Sequence, residues 1–544
     1  MDIEQSIIDN LSEQLKRAGV SSPVVTLDLP TKEGFGDLTS NCAMVYAKQL
    51  RLNPRQFAET LAGNFPLSAD GISKVEIAGP GFLNFHISPA YFYSQLRSVL
   101  TDPATYGLTN EGQGEKWHFE FVSANPTGPL NIVSARSATI GSTLVRCFRQ
   151  LGYTAFAEYY VNDAGGQVLK LGQSLLARVR QKIEGSETAD IPEGGYHGDY
   201  LIPLAELWMN EQGSDVAKAD PAVVGRWTAD KIRQQQESTL LTFLVEFDLF
   251  FRESELYASG VVDPAFQQLK ERGLIYEKEG AVWFKASEFG DSEDRVLVTS
   301  DGRFTYIVPD IAYHLQKHSR GYAHAVNLLG PDHHGHILQL QAALKALDLP
   351  PDFFHPFIIQ QVNLKRDGEP VKMSKRAGVG ITLDELIEEV GIDAARFFFL
   401  MRKMSTPLDF DLEIAKRNSD ENPVFYVQYA HARIRSILRQ PGAEGFHWEK
   451  ADLTLLTEPE EISLLRHISR YPAMLKSVVR NIDPHPVTVY LIEMARLFHL
   501  FYARHRVITE SQPQTEARLA LCTGVAGILS AGLVLVGVSA PDKM

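Results

Sequence analysis

A chain of 544 residues is too long for a single hydrophobic core, so two to four domains are expected. With 44% hydrophobic and 22% charged residues, it has the composition of a soluble globular protein. Its three scattered cysteines, Cys42, Cys147 and Cys522, argue against a disulfide framework or a thiolate zinc site and suit a reducing cytoplasm, and its net charge of −14 argues against wholesale coating of nucleic acid.

In chain order, Ile3, Ile7, Ile8, Leu11 and Leu15 recur at helical spacing among charged residues, one apolar stripe rather than a signal peptide. Gly34-Phe35-Gly36-Asp37 leads into a second helical stretch from about Leu38 to Leu50. Val75 to Phe85 reads as two short strands around the Gly79-Pro80-Gly81 turn, so residues 1–105 are expected to form a small α/β domain. From Trp117 the pattern alternates: a strand Trp117–Val122, a helix Ala135–Leu151 and a strand Ala155–Val161. That is a βαβ unit, with parallel pairing and a right-handed crossover. A strand His324–Leu329, a helix Gly335–Leu347 and a strand Phe354–Val362 follow, while residues 166–244 read as a helical, polar insertion. The expected fold over 110–380 is α/β, a doubly wound parallel (Rossmann-like) sheet that binds ligands at the carboxyl ends of its strands.

After Gly380 the pattern is almost wholly helical, and 381–544 is expected to be an α-helical bundle. Thr382-Leu383-Asp384-Glu385 is a capping-box pattern, and Asp393-Ala394-Ala395-Arg396 opens a buried run at Phe397–Leu400. Leu519–Val538 is uncharged for 20 residues, long enough to cross a bilayer. Gly524, Gly527, Gly532 and Gly537 interrupt it and no basic cluster follows, so a buried bundle helix ending near Gly532 is expected, and no membrane partner.

Two segments carry the chemistry. In Asn125-Pro126-Thr127-Gly128-Pro129-Leu130-Asn131-Ile132-Val133-Ser134-Ala135-Arg136, a turn ends a strand and opens a helix, so backbone N–H groups and the helix dipole make an anion site. Pro126 and Pro129 stiffen the loop, and Gly128 permits close backbone approach. Taken alone, an ordinary Gly/Pro turn accounts for this segment. In Lys372-Met373-Ser374-Lys375-Arg376, two ammonium groups flank a small hydroxyl, able to neutralise a leaving pyrophosphate, and Gly378 and Gly380 follow as hinges. The plain alternative is a solvated basic loop. His333, His334 and His336 are too closely spaced to converge on one ion, so no metal site is expected.

Together these segments resemble the two ATP-handling signatures of class I aminoacyl-tRNA synthetases of the arginyl type. The family usually has His-x-Gly-His where this chain has Asn131-Ile132-Val133-Ser134. Asn131 and Ser134 keep hydrogen-bond donors but no imidazolium charge, and losing one transition-state donor costs about 3–4 kcal/mol. Val133 fills space that the family leaves to the adenine. The resemblance implies catalytic roles for Lys372, Ser374, Lys375, Asn131 and Ser134. It implies ATP contacts at Pro126, Thr127, Gly128, Asn131, Ser134, Asp332, Met373 and Lys375. Arginine would be held by Asn125, Glu253, Tyr306 and Asp310, the last two one helical turn apart. Tyr159-Tyr160-Val161-Asn162-Asp163-Ala164-Gly165 would shape the floor of the site. Tyr426, Tyr429, Arg433, Arg435 and Tyr502 would touch tRNA, although an ordinary bundle helix accounts for part of that set.

What the resemblance implies is a cytoplasmic, monomeric arginyl-tRNA synthetase using ATP with Mg2+ on its phosphates, L-arginine and tRNA(Arg). Residues 1–105 would contact the tRNA corner and 381–544 the anticodon. Two alternatives stand beside it. The altered Asn131–Ser134 segment motivates a non-catalytic tRNA-binding paralogue. A different nucleotidyltransferase of the same fold is disfavoured by the long helical C-terminal region.

Overall fold

The stripe Ile3, Ile7, Leu11 and Leu15 is buried along one face of helix Ile3–Arg17, as its four-residue spacing requires. The structure is a computed structural model that describes residues 3–30, 34–68, 71–163, 165–185, 191–213, 216–371 and 381–544. Lys372, Met373, Ser374, Lys375, Gly378 and Gly380 lie outside the described residues. The chain divides into two units. One is Met1–Tyr106 with Ile434–Arg470 and Arg496–Ile528; the other is Gly107–Arg433 with Tyr471–Ala495 and Leu529–Met544.

The first unit holds an antiparallel sheet of β1 (Leu38–Ser40), β2 (Ile72–Ala78) and β3 (Phe82–Ile87), ordered β1-β3-β2. Gly79 and Gly81, with φ of 51° and 141°, close the β2–β3 hairpin as expected. Leu38–Leu50 is not one helix. Leu38 and Ser40 alternate inward at the strand period and pair with β3, so the helix begins only at Cys42. Helix Pro89–Thr101 opens on an N-cap, Ser88, with Pro89 at its first position. Buried Asp37 accepts the Ile87 N–H at 2.7 Å and pairs with Arg466 on helix Pro459–Ser469.

The apolar C-terminal segment is the helix Gln512–Val536, which runs through Gly524, Gly527 and Gly532 and stops only before Gly537, at φ 69°. The expected end at Gly532 is therefore wrong. There a Cβ would lie 2.6 Å from Leu491, so the glycine serves close packing instead of termination. By length and composition this helix could cross a bilayer, yet 72% of its apolar window is buried within the protein.

The second unit is built on five parallel strands: β4 (Lys116–Glu120), β5 (Thr154–Val161), β6 (Leu249–Arg252) and, after a small antiparallel sheet of β7 (Ile275–Lys278), β8 (Ala281–Phe284) and β9 (Arg295–Val298), β10 (His324–Leu329) and β11 (Phe354–Ile358). Their order is β11-β10-β4-β5-β6. The winding reverses between β10 and β4, which opens a crevice at the carboxyl edge. Helix Ile132–Gln150 crosses from β4 to β5. Its Gly141 lets it settle on the sheet, because a Cβ there would lie 2.2 Å from the Phe121 ring. The helical insertion has a core of its own around Leu175, Leu204 and Trp208. Its helices Gly166–Glu184 and Pro221–Thr242 touch at Gly172 and Gly225, where added Cβ atoms would meet backbone carbonyls at 1.9 and 2.1 Å.

Two departures from the sequence reading lie beyond β11. Phe354–Val362 is not one strand. The chain breaks at Gln360, whose N–H donates to the Met404 carbonyl and whose carbonyl accepts from Arg136, and β12 (Val362–Arg366) then joins a second sheet. That sheet is β13-β12-β14, with β13 Glu369–Pro370 and β14 Leu408–Asp411. The region after Gly380 thus contains a strand, with Leu408 and Phe410 buried at period two.

The C-terminal residues are pinned into this unit. Fully buried Arg396 donates to the carbonyls of Val536 and Phe243, both at 2.8 Å, and to Ser142 Oγ at 3.0 Å. Ser539 N–H donates to Asp393 at 3.0 Å, Gln428 donates to the Ser539 carbonyl at 2.9 Å, and His431 Nδ1 lies 2.9 Å from the Pro541 carbonyl.

Candidate active site at the carboxyl edge of the parallel sheet

A cavity of about 450 Å³ opens where the winding reverses. The ends of β4, β5 and β10 and the start of the helix after β6 supply its wall: Glu120 and Ser123, Tyr160 and Asn162, Asn327 to Gly330, and Glu253. Helix Ile307–Ser319 adds Asp310, Tyr313 and His314, and the loop after β10 adds Asp332, His333 and His336. Asn125, Glu253, Tyr306, Asp310 and Asp332, scattered over more than 200 positions of sequence, thus face one space.

The turn leaving β4 is strained. Val122 and Ser123 have φ of 68° and 39°, uncommon for any non-glycine residue and more so for a β-branched one. Ser137 Oγ accepts the Val122 N–H at 3.0 Å, and Ser123 Oγ accepts the Tyr160 N–H at 3.1 Å, which fixes the turn on both sides. The following loop is clamped from the insertion and from β5. Buried Gln236 donates to the carbonyls of Asn125 and Gly128 at 3.2 and 2.8 Å, Tyr159 hydroxyl donates to the Ala124 carbonyl at 2.8 Å, and Tyr200 hydroxyl donates to the Thr127 carbonyl. Tyr159 therefore acts from behind the loop, fully buried, and it is Tyr160 and Asn162 that reach the cavity.

Asn125 lines the cavity; Pro126, Thr127, Gly128, Asn131 and Ser134 do not. They form the turn and the amino end of helix Ile132–Gln150. Asn131 is its N-cap, its Oδ1 accepting the N–H groups of Val133 and Ser134, both at 3.0 Å. Asn131 also bridges Thr382, and the Leu383 N–H donates to the Leu130 carbonyl at 2.8 Å. Thr382 closes the expected capping box with Glu385. The residue two positions after Gly380 is thereby fastened to the first segment.

Electrostatically the cavity is set for a cation. Glu253 is pushed up to about 7, first by burial and then by the charge of Asp310, with Tyr160 as a hydrogen-bond partner pulling the other way. A positive ligand beside both carboxylates would favour the ionised form of Glu253. Asp310 Oδ2 lies 2.5 Å from His336 Nε2, and the His336 ring is 5.1 Å from that of Tyr306. His314 donates from Nδ1 to the Asp310 carbonyl at 2.9 Å in its neutral form; burial, then the charge of Lys317, holds its basicity well below the usual imidazole range. Among the described residues, no group of three or more His, Cys, Asp or Glu side chains could hold a metal ion.

Three family models match the chain: the arginyl tRNA synthetase N terminal domain at residues 3–87, the tRNA synthetases class I (R) catalytic domain at 214–405, and the DALR anticodon binding domain at 427–544. The arginine–tRNA ligase of Desulforamulus reducens is 40% identical, covering 96% of this chain and 94% of that protein. The arginine–tRNA ligase of Thermotoga petrophila is 42% identical and covers 99% of both. The chain belongs to the arginine–tRNA ligase family. A solved structure of a putative arginyl-tRNA synthetase from Campylobacter jejuni, 34% identical, superposes with a TM-score of 0.78 over 84% of this chain and 99% of that one.

Within this chain, Tyr426, Tyr429 and Arg433 are half-buried on helix Pro423–Ile437, with Arg433 5.0 Å from the Tyr429 ring centroid. Arg435 is half-buried on the same helix, and Tyr502 is 38% exposed on helix His485–Arg504. The sequence reading missed Glu120, Ser123 and Asn327 as cavity residues, whereas Tyr160 and Asn162, expected on the floor of the site, do line it. Their positions at strand ends were a usable signal for most of them, since ligands gather there.

Proposed function

We propose that this chain joins L-arginine to tRNA(Arg) in two steps. The arginine carboxylate attacks the α-phosphorus of ATP, forming the mixed anhydride as the bond to the bridging oxygen of pyrophosphate breaks. A hydroxyl of the terminal tRNA ribose then attacks the carbonyl carbon, and AMP leaves. The Glu253–Asp310 pair carries this reading: two carboxylates in one cavity, the charge of one disfavoured by the other, suit a guanidinium, and Tyr306 and Asn125 line the same cavity. Asp332 faces the ATP ribose. Asn131 and Ser134 present donors at the helix terminus beside the phosphates, with Pro126, Thr127 and Gly128 as the cradle. Lys372 and Lys375 neutralise pyrophosphate, with Ser374 and Met373 between them. Mg2+ enters with ATP on its phosphates and water. Residues 1–105, and Tyr426, Tyr429, Arg433, Arg435 and Tyr502 within 381–544, engage tRNA. The protein acts as a cytoplasmic monomer without a membrane partner.

A second reading, a non-catalytic tRNA-binding paralogue, is favoured by one observation. Asn131, in place of the family's first histidine, spends its side-chain oxygen on capping its own helix. Aminoacylation of purified tRNA with labelled arginine decides between them. Charging above a no-enzyme blank supports the ligase; none, with tRNA binding intact, supports the paralogue.

A further inference from the structure

Lys317 has no part in the reading above. It sits in the last turn of helix Ile307–Ser319, fully buried. Its ammonium donates to Glu120 Oε2 at 2.7 Å and to Asn327 Oδ1 at 3.2 Å, and stands 4.2 Å from the Tyr313 ring centroid. Glu120, Asn327 and Tyr313 line the cavity, whereas Lys317 does not. Asn327 Nδ2 donates to the same Glu120 oxygen at 2.8 Å, and Ser123 Oγ donates to the other, Oε1, at 3.3 Å. Tyr313 is fixed in turn from behind, its hydroxyl donating to Glu158 Oε1 at 2.6 Å while Arg320 holds the same carboxylate.

A buried ion pair is an expensive way to fill space. Apolar residues of similar size often do as well or better, so such a pair calls for a reason beyond stability. Here the reason lies on the far side of the pair. Glu120 has both oxygens anchored, Oε2 by two donors and Oε1 by one, so Oε1 keeps acceptor capacity on a side chain that lines the cavity. The ammonium also balances its charge. The wall therefore offers an acceptor whose charge Lys317 already balances, beside the carboxylates of Glu253 and Asp310.

We propose that Lys317 is a positioning residue. It holds Glu120 in one rotamer, with an opposite charge at its back, as an acceptor for an N–H group of the amino-acid substrate, without entering the cavity itself. This rests on the arginine reading of that cavity.

The test is steady-state charging with arginine and ATP varied separately, alongside thermal unfolding and calorimetric binding of L-arginine. Lys317→Met strands a buried carboxylate and is expected to lower Tm. Lys317→Met combined with Glu120→Gln removes both charges and is expected to recover Tm, yet to leave the KM for arginine roughly tenfold or more above wild type, the loss of one charged hydrogen bond. The KM for ATP should stay within about twofold by the same reasoning. A double variant with wild-type Tm and wild-type arginine KM would reduce Lys317 to a counter-charge and overturn the proposal, as would a parallel rise in both KM values. Glu120→Gln alone must also weaken arginine; an unchanged arginine KM there refutes the proposal whether or not the methionine variants fold. If the wild type binds no arginine, the function reading itself fails. If it binds arginine without charging and only the variants lose binding, the positioning role stands.

Discussion

Glu253 offers the most direct check on the cavity. With its carboxyl pushed up to about 7 by burial and by Asp310, its ionised fraction falls from about nine-tenths at pH 8 to about one-tenth at pH 6. A guanidinium pairs with the ionised form, so arginine affinity must follow that fraction. The sign is fixed: binding is full above the raised value and is lost as pH drops through it. The KM for arginine should therefore rise about tenfold between pH 8 and pH 6. Glu253→Gln keeps the shape and removes the titration. Its arginine KM should be about 10–150 times that of the wild type at pH 8, from about 1.5–3 kcal/mol for a charged hydrogen bond, and should depend far less on pH. Initial charging rates at saturating ATP and tRNA across that range measure both. A pH-independent wild-type KM, or an equal slope in the variant, would show that Glu253 does not receive the substrate cation.

Further outcomes follow from the same geometry. Asn131→Asp preserves a good N-cap but sets a negative charge where phosphate is expected, so Tm should hold while the KM for ATP rises; unchanged ATP kinetics would place the phosphates elsewhere. Asn131→Ala should instead lose about 1 kcal/mol of stability, read by chemical denaturation. Lys372→Ala and Lys375→Ala should each lower kcat by about 10²–10³ in pyrophosphate exchange, if each neutralises the leaving group. Gly172→Ala, whose Cβ would lie 1.9 Å from the Pro221 carbonyl, should destabilise the helical insertion by about 1–3 kcal/mol or more, visible in thermal unfolding.

Much of this arrangement was legible in the chain. Periodicity placed β4, β5, β10 and their helices to within a few residues, because each buries an apolar set at a fixed period. The cavity carboxylates were legible only through a family resemblance. Nothing local distinguishes Glu253 or Asp310 from a surface acid; their meaning arises when β6 and helix Ile307–Ser319 bring them to one cavity. β1 and β14, three and four residues long, were missed because so short a run cannot declare its period. The helix expected to end at Gly532 continued because packing against Leu491 outweighed the glycine's local cost. The positive φ at Val122 had no sequence signal, since strain there is imposed by the surrounding turn.

The anchoring of Val536, Ser539 and Pro541 by Arg396, Asp393, Gln428 and His431 ties the second unit together across long stretches of chain, Arg396 and Val536 lying 140 positions apart. Each such pairing closes a long loop, so its entropic cost is met only by the cooperative packing of the whole unit. A cut that removed residues 536–544 would keep every residue lining the cavity, yet strip a fully buried guanidinium of one acceptor and leave the body that holds the cavity unlocked.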